Sequence, residues 1–590
     1  MGCSIGRPRR LGPPARSRLV LIAALVCGIG AFGPAAADTP LPPTPPEPAP
    51  AAERPEGSAL GSYLVGRFAL SRGDYAAAAA HMQRTLGEDP DNPSLLRRTV
   101  TLLIADGRIE DAARLARRLV GMDRSARLAP FVLALQDARD DDFDAALRLV
   151  GEIRQDGIYS LLVPLAKGWL HTAAGSDAAA LASLAPLAER DGYRSYYLFH
   201  AGLMHDLAGR QEEAEALLRE AVALSGGSHR PVAALGSLLA RTGRMDEARA
   251  VYEDYRAQNP ASVWVERALA VAGARSPPPL VSDAREGLAE ALLGTAAALP
   301  YRENGDGGLI YARLALFLRD DLHTARFLIG EILDEANRLE AAVAAYRSIP
   351  AGSDFDWAAR LRAASALVDL EREDEAVAAL GAMMDERPER SDAATALGDA
   401  FRMSDRFEEA ATAYDTAIER LGPIEPRHWR LFYVRGIAFE RIGAWSQAEA
   451  DFLHALELEP DQPLVLNYLG YSWVEQRHNL DEARIMIEKA VALRPDDGYI
   501  VDSLGWAAYR LGNFEEAVVQ LERAVELQAG DPIINDHLGD AYWQVGRLNE
   551  ARFQWRRVLT LEPEDELAEQ VRRKIAGGLS AGAEADDEDR

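Results

Sequence analysis

The sequence predicts an all-α protein, an α-solenoid of about 13–14 stacked helix-turn-helix pairs that forms a superhelix. Two observations lead to this fold class. Small residues recur at spacings of 34 or 35 along the chain, and the segments between them place apolar residues three and four positions apart, as in amphipathic helices. Such a pair cannot bury its apolar face alone, so neighbouring pairs must stack.

The period is clearest near the C-terminus, where one small residue lies in the middle of each predicted helix. Glycine stands at the eighth position of the unit and alanine at the twentieth, and both leave room for two antiparallel helices to approach closely. Larger residues at Phe452, Ile487, Leu521 and Trp555 are expected to fill the space beside them. The small residues are Gly436, Gly470, Gly505 and Gly539, and Ala448, Ala483, Ala517 and Ala551.

Proline and glycine mark the ends and turns of these units. Pro460, Pro495 and Pro563 follow the second helix of their units, because proline lacks an N–H group and clashes with the preceding turn. This pattern resembles the tetratricopeptide repeat (TPR). The resemblance implies an N-terminal array over 59–262, a C-terminal array over 323–565, a capping helix over 566–575 and an acidic, disordered tail over 576–590.

The 34-residue repeat is interrupted between residues 263 and 322. This stretch contains Ser276-Pro277-Pro278-Pro279, a predicted helix near 284–298, a glycine-rich turn and a further helix over 309–318. We expect one distorted helix pair, an irregular joint that divides the two arrays. A shorter insertion at Gly422-Pro423-Ile424-Glu425-Pro426 offsets the last four units.

The first 37 residues have the pattern of a secretory signal peptide. Five arginines precede an apolar run from Leu19 to Phe32, and Ala35-Ala36-Ala37 forms a small-residue cleavage site. The run is shorter than the roughly 20 residues of a spanning helix. Residues 38–58 are rich in proline and are expected to form an extended linker. The sequence therefore predicts export, with a periplasmic location in a bacterium.

The two cysteines, Cys3 and Cys27, both lie in this leader. Cys27 leaves a second interpretation open, a lipoprotein anchored at the outer membrane, although Val26 stands where a small residue is expected. Membrane contact is predicted only through such a lipid. Twin-arginine export through Arg9-Arg10 fits the neighbouring residues less well.

Composition excludes other functions. The formal net charge of −27 argues against nucleic-acid binding, which needs cations to neutralise phosphate. The histidines are scattered, and neither a metal-ligand spacing, a phosphate-binding glycine loop nor a nucleophile elbow occurs. Because repeats take up almost all of the chain, we expect no catalytic residues, no cofactor and no metal, and hence no enzyme.

One group of residues is a candidate binding site. In a solenoid of this kind the first helix of each pair lines the concave groove, and positions 2, 5, 9 and 12 usually face it. Aromatic rings there offer contact area and carboxylates orient a partner, with a basic or neutral segment favoured. The alternative is that the tryptophans only pack between units. The candidate residues are Asn467, Tyr471, Tyr499, Asp502, Trp506, Tyr509, Asp536, Asp540 and Trp543.

The run from Leu466 to Ala517, "LNYLGYSWVEQRHNLDEARIMIEKAVALRPDDGYIVDSLGWAAYRLGNFEEA", resembles exported bacterial TPR adaptors of carboxyl-terminal processing proteases. The resemblance implies a non-enzymatic scaffold that binds proteins or peptides in its groove, with such a protease and its substrates as partners. The alternative is a structural component of an envelope secretion or polysaccharide-export assembly.

Overall fold

The computed structural model describes residues 58–579, except 124, 225, 260–261, 273–276 and 300–305. The predicted signal peptide, Cys27, nearly all of the proline-rich linker and the end of the acidic tail lie outside the described residues. Those residues contain 30 α-helices and one short 3-10 helix, and no strand. The predicted all-α solenoid is confirmed.

Contacts between helices divide the described chain into two compact units. One unit ends at Arg406 and the other begins at Phe407. The first unit starts with six helix pairs, in which odd-numbered helices are the first (A) helices and even-numbered ones the second (B) helices. Their bounds are α1 Ala59–Ser71, α2 Tyr75–Glu88, α3 Pro93–Ala105, α4 Ile109–Met122, α5 Leu128–Arg139, α6 Phe143–Gly151, α7 Tyr159–Ala173, α8 Asp177–Ala188, α9 Arg194–Leu207, α10 Gln211–Leu224, α11 His229–Arg241 and α12 Met245–Gln258.

The remainder of the first unit contains the irregular stretch and two and a half further pairs. The helices are α13 Val263–Ala272, α14 Ala284–Ala297, α15 Asp306–Leu318, α16 His323–Glu335, α17 Leu339–Arg347, α18 Asp356–Asp369, α19 Glu373–Glu386 and α20 Asp392–Met403. The α14–α15 pair packs against A helices α3, α5, α7 and α9. The sequence suggests a joint between two arrays here, whereas the structure seats the pair against the first array and divides the chain about 90 residues later.

The second unit continues the repeat to its end. Its helices are α21 Phe407–Glu419, α22 Trp429–Arg441, α23 Trp445–Leu458, α24 Pro463–Glu475, α25 Leu480–Leu493, α26 Gly498–Arg510, α27 Phe514–Leu527, α28 Pro532–Gln544, α29 Leu548–Val558 and α30 Asp565–Gly577. The insertion before α22 forms the 3-10 helix Pro426–His428. The helix α30 is the predicted cap.

The close approach that the small residues predict is present in every C-terminal pair. A Cβ atom on Gly436 would lie 2.7 Å from the Phe452 ring, and one on Gly539 would lie 2.5 Å from the Trp555 indole. The four alanines at the twentieth position are completely buried. The pairs are therefore held by side chains that interlock across glycine and alanine, as in other close-packed interiors.

The turn between the helices of a pair needs a left-handed residue. Gly512 supplies it between α26 and α27, with φ of +83°. Units that lack this glycine place another residue in the same region, for example Glu371 with φ of +59° between α18 and α19. Both arrangements supply the positive φ that the turn requires.

Candidate protein-binding surface

The nine candidate residues lie on three successive A helices of the second unit. Helix α24 carries Asn467 and Tyr471; α26 carries Tyr499, Asp502, Trp506 and Tyr509; and α28 carries Asp536, Asp540 and Trp543. The α24–α26 and α26–α28 helices are in direct contact. The structure brings the members from α26 and α28 together into two clusters, which differ in their exposure to solvent.

The first cluster is an aromatic stack around Trp506. The Trp506 ring lies parallel to Tyr509 at a centroid distance of 4.7 Å, and parallel to the His537 ring at 4.0 Å. The Trp506 indole N–H donates to Glu475 on the preceding A helix at 2.6 Å. Trp506 and Tyr509 are half-buried, so part of this stack is open to solvent. The stack therefore presents aromatic rings to solvent. The hydrogen bond to Glu475 and the contact with His537 fix the orientation of the Trp506 ring.

A buried ion pair supports this stack from below. His537 Nδ1 lies 3.0 Å from both carboxylate oxygens of Asp502, and both residues are buried. Burial alone would lower the pKa of His537, but Asp502, together with Asp536 and Asp540, raises it above the ordinary value. The imidazolium form is thereby favoured, and it holds the ring under Trp506.

The second cluster joins α28 to the capping helix. Lys574 Nζ of α30 lies 2.8 Å from Asp536 Oδ2 and 2.7 Å from Asp540 Oδ2. The Trp555 indole N–H donates to Asp540 Oδ1 at 3.0 Å. Burial opposes the charge on Lys574, but the two carboxylates raise its pKa overall. Both aspartates thus share one buried cation within the chain.

This arrangement changes what the candidate site can offer a partner. Asp502, Asp536 and Asp540 are each at most 7% exposed; His537 pairs with Asp502, and Lys574 pairs with one oxygen each of Asp536 and Asp540. They are therefore committed to internal ion pairs rather than to a partner's cation. Trp543 also packs internally, 5.4 Å from Trp555 and against the backbone of Gly578.

The remaining candidates lie at the edge of the stack. Tyr499 is 41% exposed, and its hydroxyl accepts a hydrogen bond from Gln528. Tyr471 is half-buried. Asn467 is half-buried too, and its Oδ1 atom is enclosed without a hydrogen-bond partner. These groups extend the open surface along α24 and α26 with aromatic and amide chemistry.

Sequence reasoning missed three residues that organise the site. His537 and Glu475 lie outside the four groove positions, although His537 directly follows Asp536. Lys574 is visible in the sequence as part of the basic end of the cap, but only the fold brings it to α28, 34 residues after Asp540. Long-range pairing of this kind leaves no local pattern.

A second concave feature lies in the first unit. A cavity of about 230 Å³ is lined by residues of α13 and α18, including Glu266, Arg267 and Trp357. Three of its charged residues form ion pairs within the chain, Arg267 with Asp354 at 2.5 Å and Glu266 with Arg390. Across the part of the chain that the structure covers, no group of three or more acidic, cysteine or histidine side chains could hold a metal ion. None of the described helices is long and apolar enough to cross a membrane.

Several known proteins with tetratricopeptide repeats are similar to parts of this chain. A TPR repeat-containing protein of Pseudomonas aeruginosa is 31% identical over 189 residues, which is 32% of this chain and 31% of that protein. The chain thus spans about a third of the length of this relative. Among solved structures, the Cut9–Hcn1 hetero-tetramer of the APC/C covers 89% of this chain and 97% of its own, at 15% identity and a TM-score of 0.37. A thermophilic TPR protein of Thermus thermophilus covers 32% and 99%, at 20% identity and a TM-score of 0.28.

The family itself is recognised from sequence profiles of the tetratricopeptide repeat. One profile matches residues 69–132 and 207–270, and another matches 361–426, 404–463 and 503–566. Together these segments make up half of the chain, and they fall on the helix pairs described above. The chain belongs to the tetratricopeptide-repeat family.

Proposed function

We propose that this chain is an exported scaffold that binds other proteins or peptides through the A-helix surface of its second unit. The observation that carries the proposal is the half-exposed stack of Trp506 and Tyr509 on a buried His537. TPR repeats bind proteins or peptides, and large aromatic side chains supply most of the contact energy at such surfaces. Catalysis is not part of the proposal.

The chemistry of the surface defines the partner that it fits. A partner meets the half-exposed stack of Trp506 and Tyr509, the phenol of Tyr499 and the half-buried side chain of Asn467. The nearby aspartates are paired internally, so they add little attraction for a basic segment. We therefore propose an extended segment with apolar or aromatic side chains, whose backbone carbonyl accepts a hydrogen bond from the Asn467 side-chain N–H.

The cellular role follows from the leader and the resemblance of residues 466–517. We propose that the protein acts in the periplasm and recruits substrates to a carboxyl-terminal processing protease. A scaffold that holds protease and substrate together raises their effective concentration without new chemistry. The basic and apolar leader before Ala37 supports export, and repeats without a catalytic constellation support an adaptor.

A capture experiment with matched variants tests the binding surface. Tagged wild-type protein, Trp506→Ala and Trp445→Ala are incubated with envelope extract, and retained proteins are identified by mass spectrometry. Trp445 is a half-buried tryptophan on a B helix of the same unit, so its variant controls for loss of an indole. We expect Trp506→Ala alone to lose its partners by at least about tenfold. An identical partner list for all three proteins would exclude the stack as the binding site.

The location has its own test. Mass spectrometry of the mature N-terminus from cells distinguishes cleavage near Ala37 from a lipid on Cys27. We expect an unmodified chain that begins at about residue 38. An intact leader would remove the basis for a periplasmic role, and a lipidated Cys27 would replace the freely diffusing form with an anchored one.

A further inference from the structure

Four A helices of the first array are covered by the chain itself. Helix α14 packs on α7 and α9, and α15 packs on α3 and α5. As a result α7 is buried on all sides: from Tyr159 to Leu170 only Lys167 is even partly exposed. The A helices of a solenoid ordinarily leave one face open for ligands. Here that face holds the α14–α15 hairpin.

Charge complementarity fixes the hairpin in one position. Glu290 of α14 is 1% exposed, and its carboxylate accepts two hydrogen bonds from the Arg230 guanidinium of α11. Arg319, which follows α15, lies 3.8 Å from the same carboxylate. A buried carboxylate is stable only with such partners, so the pair strongly disfavours a hairpin that is shifted or absent.

The array also binds the hairpin backbone, as it would bind a peptide. The Tyr196 hydroxyl of α9 donates to the Gly294 carbonyl of α14 at 3.3 Å, and the Ser237 hydroxyl of α11 donates at 2.7 Å to the carbonyl of Pro278, which precedes α14 in the chain. On the other helix of the hairpin, Phe317 lies under the Arg139 guanidinium of α5 at 4.4 Å. These contacts come from separate A helices, so the surface recognises the hairpin along its length.

The close contact between α14 and α7 also requires a glycine on α14. A Cβ atom on Gly287 would lie 2.3 Å from the Trp169 ring of α7. Trp169 cannot move aside easily, because it is fully buried and its indole donates to His200 Nδ1 at 3.1 Å. Gly287, Glu290 and Gly294 are spaced by three and four residues and therefore form one stripe on α14. The array selects a helix with glycine, carboxylate and glycine in that register.

We infer that the A-helix surface of the first array is a hairpin-binding surface whose ligand is the chain's own α14–α15 pair, which closes this surface to other proteins. The ligand class is a helical hairpin with a glycine against Trp169 and a carboxylate between Arg230 and Arg319. The consequence, which rests on the proposed function, is that partner capture is confined to the second unit.

Thiol labelling of the full chain tests this directly. In a background with Cys3 and Cys27 replaced by Ser, one cysteine is introduced at Ala291, which is fully buried on the array-facing stripe, or at the exposed Gly121 of α4. The rate of reaction with a maleimide is measured without denaturant. We expect Ala291→Cys to react at least about a thousandfold more slowly than Gly121→Cys, because labelling needs the hairpin to leave. Rates within tenfold of each other would overturn the inference.

A second variant separates undocking from general unfolding. Adding Gly287→Leu, which drives a side chain into Trp169, is expected to accelerate labelling of Ala291→Cys at least about tenfold. A cysteine at Ala116, buried in α4 of the same array, should keep its slow rate. If labelling were accelerated equally at Ala291→Cys and Ala116→Cys, Gly287 would contribute only to general stability. That result would contradict the specific packing of α14–α15 on the first array. Labelling uses purified protein without partners, so its outcome is independent of the Trp506→Ala capture experiment.

Discussion

At the scale of single residues, the fold depends on glycines at helix contacts that are too close for the methyl group of alanine. Gly236 in α11 is an example from the first unit, because a Cβ atom there would lie 2.3 Å from the ring of Tyr252. That tyrosine is 4% exposed and has little room to retreat. Glycine within a helix is ordinarily less stable than alanine, but Gly236 allows α11 and α12 to pack closely.

Gly236→Ala should therefore destabilise the protein in spite of alanine's higher helix propensity. We expect a loss of about 1–3 kcal/mol, because the methyl group overpacks a rigid contact. Gly381→Ala is the matched control, since Gly381 lies in the middle of α19 with no atom within 4 Å of its Cβ position. It should be neutral or more stable by up to about 1 kcal/mol. Urea unfolding followed by circular dichroism measures both, and equal effects would contradict the steric explanation.

The buried His537 makes stability depend on pH. Asp502, Asp536 and Asp540 raise its pKa in the folded protein against the effect of burial, with Lys574 as the neighbouring cation. The protonated ring therefore stabilises the folded state, fully so below the unfolded pKa of about 6.5. This contribution is lost as the pH rises through the folded pKa.

We thus expect the free energy of unfolding of the second unit to fall as the pH rises from about 6.5 through the raised pKa of His537. The steepest possible slope is about 1.4 kcal/mol per pH unit. His537→Gln should flatten the profile over this range, while the raised pKa of Asp540 acts at lower pH. Chemical denaturation at a series of pH values measures the slope; the same slope in wild type and variant would assign it to another group.

At the scale of elements, α30 closes the last repeat by charge as well as by apolar contact. Ala568 and Val571 are buried, and Lys574 forms ion pairs with both aspartates of α28. Without this helix the carboxylates of Asp536 and Asp540 would face each other. The cap is therefore a structural requirement of this end of the solenoid, as terminal repeats generally are.

Removing the cation should show how much the cap depends on it. Lys574→Ala leaves two buried carboxylates without their counter-ion, and we expect a loss of about 3–5 kcal/mol. Arg573→Ala on the same helix removes an exposed partner of Glu569 and should have no measurable effect. Unfolding followed by the fluorescence of Trp543 and Trp555 compares the two. Equal stability of both variants would mean that apolar packing alone holds α30.

Helices and their pairing could be predicted from sequence because their determinants are local. Gly505, Ala517 and the turn at Gly512 all lie within one unit, and the structure confirms their roles. The placement of the irregular pair could not be predicted in this way. Glu290 meets Arg230 from 60 residues away, and nothing in the local pattern of α14 indicates that partner.

The candidate site was predictable to a similar extent. Repeat position correctly places Trp506 and Tyr509 on one A helix, but it assigns no role to His537 or Lys574. Those residues decide that Asp502, Asp536 and Asp540 act as internal ion-pair partners. Periodicity identifies which face of a helix a residue occupies, whereas the pairing of charges across that face depends on tertiary contacts.

At the scale of the whole molecule, the division at Arg406 and Phe407 falls between the two helices of one repeat pair, α20 and α21. The stability of a repeat protein is approximately the sum of the stabilities of its repeats and of the interfaces between neighbouring repeats. A destabilising substitution therefore affects only the repeats that unfold together with the substituted one. The free energy of unfolding of the chain is then a property of each unit rather than one number.

Two of the variants above can locate the boundary of cooperativity. Gly236→Ala lies in the first unit and Lys574→Ala in the second, and no side chain is common to their contacts. We expect hydrogen exchange in increasing urea to show that Gly236→Ala speeds exchange in α7 to α12 and leaves α24 to α30 unchanged. Lys574→Ala should speed exchange in α24 to α30 and leave α7 to α12 unchanged. In the double variant, the losses in the free energy of unfolding should add within about 0.5 kcal/mol. If either variant accelerated exchange equally over both units, the described chain would unfold as one cooperative body, and partner binding at Trp506 would then stabilise the first array as well.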